Sequence, residues 1–411
     1  MAEVIVIGAG IIGLSVAFRL SEAGQRVLIL DRKGMAEETS RGNAGAFAFA
    51  DVEPLASPGI LRQAPKWLLD PLGPLSMPPG YALRMLPWLW RFWRASGPAR
   101  HEAATAAQAR LMNLAKPETE ALFAAAGLGN MLRRDGAIYL YEGEDALKAA
   151  KPLWDLRARH GVPFEVTRGA RLADLQPGLA PRYTHGVFLP EWMTVSDPHQ
   201  VALAVGQAAL DRGAVFERAE VLALRADEAG VEVGLPEGRT IRARTVVLAC
   251  GAWSKGLAAQ VGSAVPLETE RGYNTTLPPG AADLRRQLVL PADGYVMTPL
   301  ATGIRVGGAV ELAGLNRAPD FRRSAILLRK AQSVLPGLDT TGGKPWMGFR
   351  PSMPDSLPVI GRSARSPRVI LAFGHGHLGL TQSAATARLV RDLVLDRPAA
   401  IDLTPYRPER F

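Results

Sequence analysis

The sequence predicts a mixed α/β fold built from two domains. The chain has 411 residues, which is long for one hydrophobic core and typical of two domains of about 150 to 200 residues each. Apolar residues make up 47% of the chain and charged residues 21%, as in ordinary globular proteins. A strand, a glycine-rich turn, a helix and a second strand follow one another at the start of the chain, an order typical of parallel α/β structure.

The first element is a buried strand that leads into a phosphate-binding turn. The apolar, β-branched run Val4–Ile7 is typical of a strand covered on both faces. It continues into the GxGxxG motif GAGIIG at residues 8–13. Gly8 permits the tight turn, Gly10 lets a pyrophosphate approach the backbone, and Gly13 allows the following helix to pack on the sheet. The N-terminus of that helix offers N–H groups and the positive end of a dipole to the phosphates.

The second strand ends in an acidic residue at the position expected for a ribose ligand. Val27–Leu30 is again a short apolar run, and Asp31 follows it. A carboxylate there accepts hydrogen bonds from the ribose hydroxyls of a dinucleotide. Arg32 beside it keeps NADP, with its 2′-phosphate, as an alternative, although a solvated surface arginine is the simpler interpretation. These parts in this order predict a βαβ dinucleotide site.

A second GxGxxG motif, GHGHLG, lies at residues 374–379. It follows the strand-like run Val369–Phe373 and opens a helical run from Leu380 to Leu395. The residues that remain are rich in proline and contain neither a second strand nor a terminal acid. The βαβ unit is therefore not completed, and we expect this turn to contact the first cofactor from another side.

A third turn lies in the middle of the chain. The apolar strand Thr245–Cys250 ends in the segment GAWS at residues 251–254. A helix with Asp197 as N-cap and Pro198 in its first turn precedes it, and short strands are expected near 215–218, 221–226 and 231–234. Three cofactor-type turns so far apart in sequence favour a long cofactor such as FAD.

With these motifs the chain resembles the D-amino-acid oxidase-like FAD-dependent oxidoreductases, and most of all the small subunit of bacterial D-amino acid dehydrogenase. The resemblance covers nearly the whole chain and rests on six segments: VIVIGAGIIGL at 4–14, ETSRGNAGAF at 38–47, VVLACGAWS at 246–254, GYVMTPLATGIRVGGAVELAG at 294–314, GFRPSMPDSLPVIG at 348–361 and GHGHLGLT at 374–381. It implies a Rossmann-type FAD-binding domain and a substrate domain with a largely antiparallel sheet. The implied FAD-binding domain comprises residues 1–50, 191–265 and 340–411, and the implied substrate domain comprises 51–190 and 266–339.

The resemblance also implies which residues bind the substrate. Arg350, in the GFRP segment, would bind the substrate carboxylate, because a guanidinium pairs with a carboxylate through two hydrogen bonds. Tyr295 matches the family's carboxylate-binding tyrosine, with strand packing as the alternative. His375 and His377 are expected to line the flavin or the substrate rather than to act as bases, since hydride transfer from a neutral amine needs no general base.

The implied cofactor site draws on all three turns. The helix after residue 379 would direct its N-terminus at the flavin, where its dipole stabilises the negative charge of the reduced ring. No metal is expected, and with Cys250 as the single cysteine we expect FAD to bind noncovalently. The predicted FAD contacts are Gly8, Gly10, Ile12, Gly13, Asp31, Arg32, Ser40, Asn43, Gly45, Val221, Gly251, Trp253, Gly374, Gly376, His377, Leu378, Gly379 and Thr381.

The function that the resemblance implies is oxidation of a D-amino acid to a 2-oxo acid and ammonia. A hydride would pass from the substrate Cα to flavin N5, and the electrons to a non-oxygen acceptor, a quinone or a partner redox protein. Three alternatives remain: a dehydrogenase of secondary amines such as D-proline, hydroxy-D-proline or sarcosine, an oxygen-using D-amino acid oxidase, and a flavin-carrying electron-relay subunit of a heteromeric complex.

Charge and hydropathy indicate the compartment. The net charge of +9 is scattered along the chain, which disfavours nucleic-acid binding, and the early first strand leaves no room for a signal peptide. We therefore expect a cytoplasmic protein. The segment LPWLWRFWR at residues 86–94 has two interpretations: a helix that buries its aromatics between domains, or an interfacial patch that attaches the protein to the inner face of the cytoplasmic membrane.

Overall fold

The computed structural model describes residues 3–60 and 75–411. The strands are β1 (Val4–Ile7), β2 (Val27–Asp31), β3 (Ala46–Phe47), β4 (Leu75–Ser76), β5 (Leu132–Arg133), β6 (Ala137–Tyr141), β7 (Glu165–Arg168), β8 (His185–Leu189), β9 (Met193–Val195), β10 (Val215–Arg218), β11 (Ala223–Ala226), β12 (Val231–Gly234), β13 (Thr240–Ala243), β14 (Thr245–Leu248), β15 (Glu268–Leu277), β16 (Gln287–Leu290), β17 (Tyr295–Leu300), β18 (Gly303–Glu311), β19 (Lys344–Ser352), β20 (Val359–Arg362) and β21 (Val369–Phe373). The helices are α1 (Ile11–Glu22), α2 (Pro79–Ala95), α3 (Pro98–Ala125), α4 (Gly143–Ala149), α5 (Lys151–Arg159), α6 (Gly169–Leu175), α7 (Pro198–Leu210), α8 (Ser254–Gln260), α9 (Arg322–Val334) and α10 (Gly379–Val394).

A six-stranded sheet contains the predicted βαβ unit. Its order is β10-β2-β1-β14-β21-β20, with β20 antiparallel to β21 and the other pairs parallel. β1 pairs with β2 on one side and with β14 on the other, so the chain changes direction across the sheet at β1. Ligands of open α/β sheets bind at such a point, beyond the carboxyl ends of the strands.

Both faces of this sheet are covered, which explains the unbroken apolar runs of its strands. Val4 and Val6 pack into a cluster with residues of α1, α3, α7 and α10. Ile5 and Ile7 point to the other face and pack against residues of β11–β13 and α8. Asp197 caps α7 as predicted, since its Oδ1 accepts from the backbone N–H of His199 at 2.8 Å.

A larger sheet supplies the second layer. Its order is β19-β15-β18-β17-β16-β6-β8-β7, and β4 also pairs with β18. The pairs β16–β6 and β18–β4 are parallel and the others antiparallel. Leu327, Ala331 and Val334 of α9 pack on one face of this sheet. The predicted α/β class with a largely antiparallel second sheet is confirmed.

The boundaries of the two domains stay a prediction. The strands of the six-stranded sheet all lie within the segments predicted for the FAD-binding domain. β19 lies beyond the predicted boundary at residue 340, yet it pairs with β15 of the larger sheet from Glu268↔Ser352 to Thr276↔Lys344. The sheet of the predicted substrate domain thus ends on a strand from the other predicted segment.

The aromatic segment 86–94 lies in α2, which anchors one face on the larger sheet. Met85 and Trp88 are buried and pack near Leu312, just after β18. Trp88 stacks on Phe92 with 5.2 Å between ring centroids. This face of the helix agrees with the interpretation as a packing element.

The opposite flank of α2 is exposed. Trp90 and Trp93 are 50% and 55% exposed, and Leu83 and Leu86 lie on the same flank at helical spacing. The guanidinium of Arg94 lies over the Trp90 ring at 4.7 Å. Full burial of the aromatics is therefore wrong for Trp90 and Trp93. Within the part of the chain described here, no helix combines the length and the apolarity that a bilayer span requires.

Candidate active site

A cavity of about 740 Å³ lies between the carboxyl edge of the parallel strands and the larger sheet. One wall comes from the β1–α1 turn and the ends of β2, β14 and β21. The other wall comes from the face of β15–β18 and β19 that α9 does not cover. The cavity thus lies at the point where the six-stranded sheet changes direction.

The β1–α1 turn has the geometry of a pyrophosphate cradle. Gly8 has φ +104°, and a Cβ at Gly8 would lie 2.5 Å from the carbonyl oxygen of Ala249. A Cβ at Gly13 would lie 1.8 Å from the carbonyl oxygen of Gly8, so only glycine lets α1 approach this closely. The Ser40 hydroxyl accepts from the backbone N–H of Ile11 at 2.9 Å and joins the following loop to the turn. Gly8, Gly10 and Ile12 line the cavity, whereas Gly13 lies behind it and serves packing.

Asp31 organises the same turn from the end of β2. Its Oδ2 accepts from the backbone N–H of Ala9 at 2.9 Å, and its Oδ1 accepts from that of Lys33 at 2.9 Å. Arg32 is not a solvated side chain: it forms an ion pair with Glu38 at 2.8 Å and lies 4.3 Å from the Trp253 ring centroid. Both residues line the cavity.

The mid-chain turn closes this end of the cavity. Val221, Gly251 and Trp253 line it, as predicted. The Cys250 thiol also lines it and donates to the carbonyl oxygen of Ile7 at 3.3 Å. Burial raises the pKa of this thiol to about 12, so it stays protonated. Cradle, ribose acid and aromatic rim fit the adenine dinucleotide part of FAD.

The loop after β2 crosses the middle of the cavity and is held by the larger sheet. Ser40 and Asn43 line the cavity, but Gly45 does not. Gly45 has φ +66° and makes the turn into β3. Asn274 donates from Nδ2 to the carbonyl oxygen of Gly42 at 2.7 Å. Arg305 donates to that of Asn43 at 2.6 Å, and burial lowers the pKa of its guanidinium to about 10.

The C-terminal turn contacts the same cavity as the first turn. Gly376, His377 and Gly379 line it, which agrees with the expectation that this motif opens no second dinucleotide unit. Gly374, Leu378 and Thr381 lie outside the lining. The Thr381 hydroxyl instead accepts from the backbone N–H of Ala48 at 3.0 Å and ties α10 to β3.

The two histidines of this turn have different surroundings. His377 is exposed to the cavity, where burial lowers its pKa and Asp51 opposes that shift. His375 is buried, and its Nε2 lies 2.9 Å from the Thr386 hydroxyl inside α10. Burial lowers the pKa of His375 to about 3, so it is neutral. His375 also belongs to the cavity lining, so its ring supports the helix while its assignment to substrate binding stays a prediction.

Arg350 faces the cavity from β19. A Cβ on Gly272 would lie 2.4 Å from Arg350 Nη2, so the absent side chain leaves the space that the guanidinium fills. Nη1 donates to the carbonyl oxygen of Ala309 at 3.1 Å. Within residues 3–60 and 75–411, no carboxylate lies within 4.0 Å of this guanidinium. Burial lowers the pKa of Arg350, and the charge of Glu270 raises it.

Tyr295 does not place its hydroxyl in the cavity. Its side chain packs in the cluster that α9 covers, on the other face of the larger sheet. Its hydroxyl is buried and has no hydrogen-bond partner among the described residues. Tyr295 and the neighbouring Val296 are both among the residues that line the cavity, and alternation along β17 turns the Val296 side chain towards it. Tyr295 thus reaches the cavity lining while its side chain packs beneath α9, and its role as a carboxylate ligand stays a prediction.

Sequence reasoning missed several carboxylates that line the cavity, Glu270 and Asp51 among them. Glu270 lies opposite Arg350 in the β15–β19 pair and is buried. Asp51 accepts from Tyr139 at 2.9 Å and from the buried Arg157 at 2.8 Å, both at Oδ1. The only sequence signal for Glu270 is alternation within ETERGYNTTL, where even-numbered residues face the cavity. That signal becomes usable once β15 is paired with β19.

Three comparisons place the chain among known proteins. A family model described as FAD dependent oxidoreductase, DAO, matches residues 3–393. The chain is 34% identical over 416 residues to a D-amino-acid oxidase from Bradyrhizobium diazoefficiens, covering 100% of this chain and 99% of that protein. It is 33% identical over 417 residues to a D-amino acid dehydrogenase from Sinorhizobium medicae, covering 100% of both. Glycine oxidase from Geobacillus kaustophilus has a similar structure, with a TM-score of 0.77 at 23% identity over 100% of this chain and 99% of that one.

Proposed function

Because the chain belongs to the DAO family of FAD-dependent oxidoreductases, we propose that it oxidises D-amino acids to 2-oxo acids and ammonia. That it is an FAD-dependent amino acid oxidoreductase follows from the family and its full-length relatives. The configuration of the substrate, the electron acceptor and the residues that bind the substrate are parts of the proposal.

The observation that carries the proposal is the position of Arg350. Its guanidinium faces the cavity, has no carboxylate partner among the described residues, and is held by backbone carbonyl oxygens. A buried cation without a counterion binds an anionic ligand strongly, because the ligand restores the missing pairing. A substrate α-carboxylate fits this role, since a guanidinium accepts a carboxylate through two parallel hydrogen bonds.

The other side chains of this part of the cavity suit an amine substrate. Bound FAD supplies a ring that accepts a hydride equivalent from the substrate Cα. His377 faces the cavity as a neutral imidazole, so it can accept a hydrogen bond from the substrate amino group. Val289 and Val296 offer apolar surface to a side chain. The protein's part is to orient the substrate and exclude water, and the hydride leaves Cα once the amino group is neutral.

For the electron acceptor we propose a quinone-type compound at a membrane surface. The relatives named D-amino acid dehydrogenase support a non-oxygen acceptor, whereas the Bradyrhizobium relative, named an oxidase, favours oxygen as a second candidate. The exposed flank of α2 supports peripheral membrane contact through residues 86–94: it carries Trp90, Trp93 and three arginines and no acidic residue. Aromatic rings and cations of this kind suit the interface of an anionic bilayer.

Anaerobic mixing of the FAD-loaded protein with a substrate panel tests the proposed reaction. D-alanine and other D-amino acids should bleach the flavin absorbance, whereas their L-isomers should not. Faster bleaching by D-proline or sarcosine would replace the substrate class with a secondary amine. If no amine bleaches the flavin, the remaining interpretation is an electron-relay subunit. Admitting oxygen or a soluble quinone to the reduced protein then distinguishes the two acceptors by the rate of flavin reoxidation.

A further inference from the structure

Glu270 and Arg350 form a pair of opposite charges that do not neutralise each other by contact. They lie directly opposite in the antiparallel β15–β19 pair, and both line the cavity. Directly opposite residues have Cβ atoms about 4.5 to 5.5 Å apart, close enough for a salt bridge. Within the described residues, however, no oxygen of Glu270 lies within 4.0 Å of the Arg350 guanidinium.

The glycine at residue 272 explains this separation. Gly272 is two residues from Glu270 on the same face of β15, and the Arg350 guanidinium lies in the space above it. Its Nη1 and Nη2 donate to the carbonyl oxygens of Ala309 and Gly308 at 3.1 and 3.5 Å. These contacts hold the guanidinium along the strand and away from the carboxylate. Glu270 is 8% exposed, and its carboxylate accepts no hydrogen bond from another described side chain.

We infer that Glu270 and Arg350 together recognise the zwitterionic head group of the substrate, Arg350 through the α-carboxylate and Glu270 through the α-ammonium group. This inference rests on the proposed function and deepens it, because it adds a charged partner for the amino group to the hydrogen bond proposed for His377. The Glu270 carboxylate opens onto the cavity without a hydrogen-bonded partner among the described residues, and an ammonium group of the ligand would supply a charge-assisted one. The pair thereby selects amino acids over 2-hydroxy acids and simple carboxylates, which lack the cation.

The alternative is that Glu270 acts only as a counter-charge, which partly offsets the positive potential of Arg350 and does not contact the substrate. The two roles predict different effects of Glu270→Gln, which removes the charge and keeps the shape: a selective change for D-alanine in one case and a common change for both ligands in the other. If Glu270 recognises the ammonium group, the Glu270→Gln variant should bind D-alanine more weakly. It should bind benzoate, which has no ammonium group, as well as the wild type does or more tightly. A simple counter-charge predicts a common change for both ligands.

The experiment measures both ligands on the same FAD-loaded protein. Benzoate is titrated through the change it causes in the flavin spectrum, and D-alanine through the concentration dependence of anaerobic bleaching. For Glu270→Gln we expect the Kd of D-alanine to rise about tenfold or more, as for loss of one charge-assisted contact. The Kd of benzoate should stay the same or fall. An equal change in both, or no change for D-alanine, would overturn the inference.

Two further variants guard the result. Glu268→Gln is the matched control, because Glu268 lies on the same face of β15 but outside the cavity lining, where Tyr81 donates to it at 3.0 Å. It should leave both Kd values unchanged. Glu270→Asp is the substitute if the Gln variant does not fold. It keeps the charge but moves it away from the ligand, so it should weaken the binding of D-alanine and leave that of benzoate unchanged. If wild-type flavin is not bleached by any amino acid, the proposed function fails, and displacement of benzoate by D-alanine still tests the pair.

Discussion

Arg350 is the proposed partner of the substrate carboxylate, and its replacement is the most direct test at the scale of one residue. Arg350→Met removes a charge that faces the cavity and two hydrogen-bond donors. We expect a loss of about 2 to 5 kcal/mol of substrate binding. The KM of D-alanine should rise accordingly while the FAD content of the purified protein stays that of wild type. The KM of Arg350→Lys should lie between those of the wild type and the Met variant, because lysine keeps the charge but cannot form two parallel hydrogen bonds to a carboxylate. An unchanged KM in the Met variant would contradict the assignment.

The buried histidine below α10 gives the protein a pH-dependent stability. Burial holds the pKa of His375 at about 3, below the value of about 6.5 for an exposed histidine. Below pH 6.5 the unfolded chain therefore binds a proton that the folded chain does not, so stability is lost as the pH falls. Between pH 7.5 and pH 5 this residue should cost about 2 kcal/mol. His375→Gln should reduce the loss by about that amount, as measured by urea unfolding at both pH values; an identical loss would refute the prediction.

At the scale of elements, the β1–α1 unit depends on the absence of one side chain. Alanine normally stabilises a helix relative to glycine by roughly 0.5 to 1 kcal/mol. At Gly13 the added Cβ would lie 1.8 Å from the carbonyl oxygen of Gly8, so the helix must shift away from the sheet. Gly13→Ala should therefore lower both the melting temperature and the affinity for FAD. Gly80→Ala is the control, because it lies in the first turn of α2 with open space around it. Equal effects of the two substitutions would show that the close approach is unimportant.

Helix α2 presents two faces with different expected roles. Trp88 is 8% exposed and stacks on Phe92, so Trp88→Ala should cost about 3 to 5 kcal/mol of stability. Replacing both Trp90 and Trp93 by serine should hardly change the melting temperature, because these rings are about half exposed. It should weaken binding to anionic vesicles and the reduction of a membrane quinone. Vesicle binding of the wild type should also weaken with salt, since charges near the surface are screened within a Debye length. Unchanged vesicle binding in the double variant would exclude α2 as the contact.

For the whole molecule, FAD should act as a structural ligand that joins the two sheets. The cavity is lined by both sheets, so bound FAD stabilises the folded state without binding the unfolded chain. At a free concentration 100 times its Kd, a ligand adds about 2.7 kcal/mol to the free energy of unfolding. Thermal melts should show a large increase in Tm with FAD and little change with NADPH, and denatured protein should release one FAD per chain. A larger shift with NADPH would contradict the cofactor assignment.

The parts of the molecule that follow from local sequence signals were predictable. The glycine spacing of residues 8–13, the apolar runs of β1, β2 and β14, and Asp197 at the start of α7 each act within a few residues. The three turns were expected to meet because each follows a parallel strand, and the carboxyl ends of such strands share one edge. Gly8, Asp31, Trp253 and Gly376 accordingly line one cavity.

The parts that depend on register and on long-range pairing were not predictable. That the Tyr295 side chain packs beneath α9 could not be read from the sequence, because a strand turns neighbouring side chains to opposite faces and the register decides which. His375 and His377 are the same residue type, and the turn alone decides that His375 is buried against Thr386 of α10 while His377 is exposed to the cavity. Glu270 becomes visible as a site residue through its pairing with Arg350, 80 residues along the chain.

The central position of β1 has a consequence for biosynthesis. β1 leaves the ribosome long before its partner β14, which ends at Leu248, 241 residues after Ile7. At typical translation rates that interval lasts roughly 10 to 50 s, during which the inner edge of an apolar strand has no permanent neighbour. Leu380, which lines the cofactor cavity, is synthesised later still. The cofactor site is therefore incomplete until α10 has been synthesised, and the nascent chain must be kept from aggregating until then.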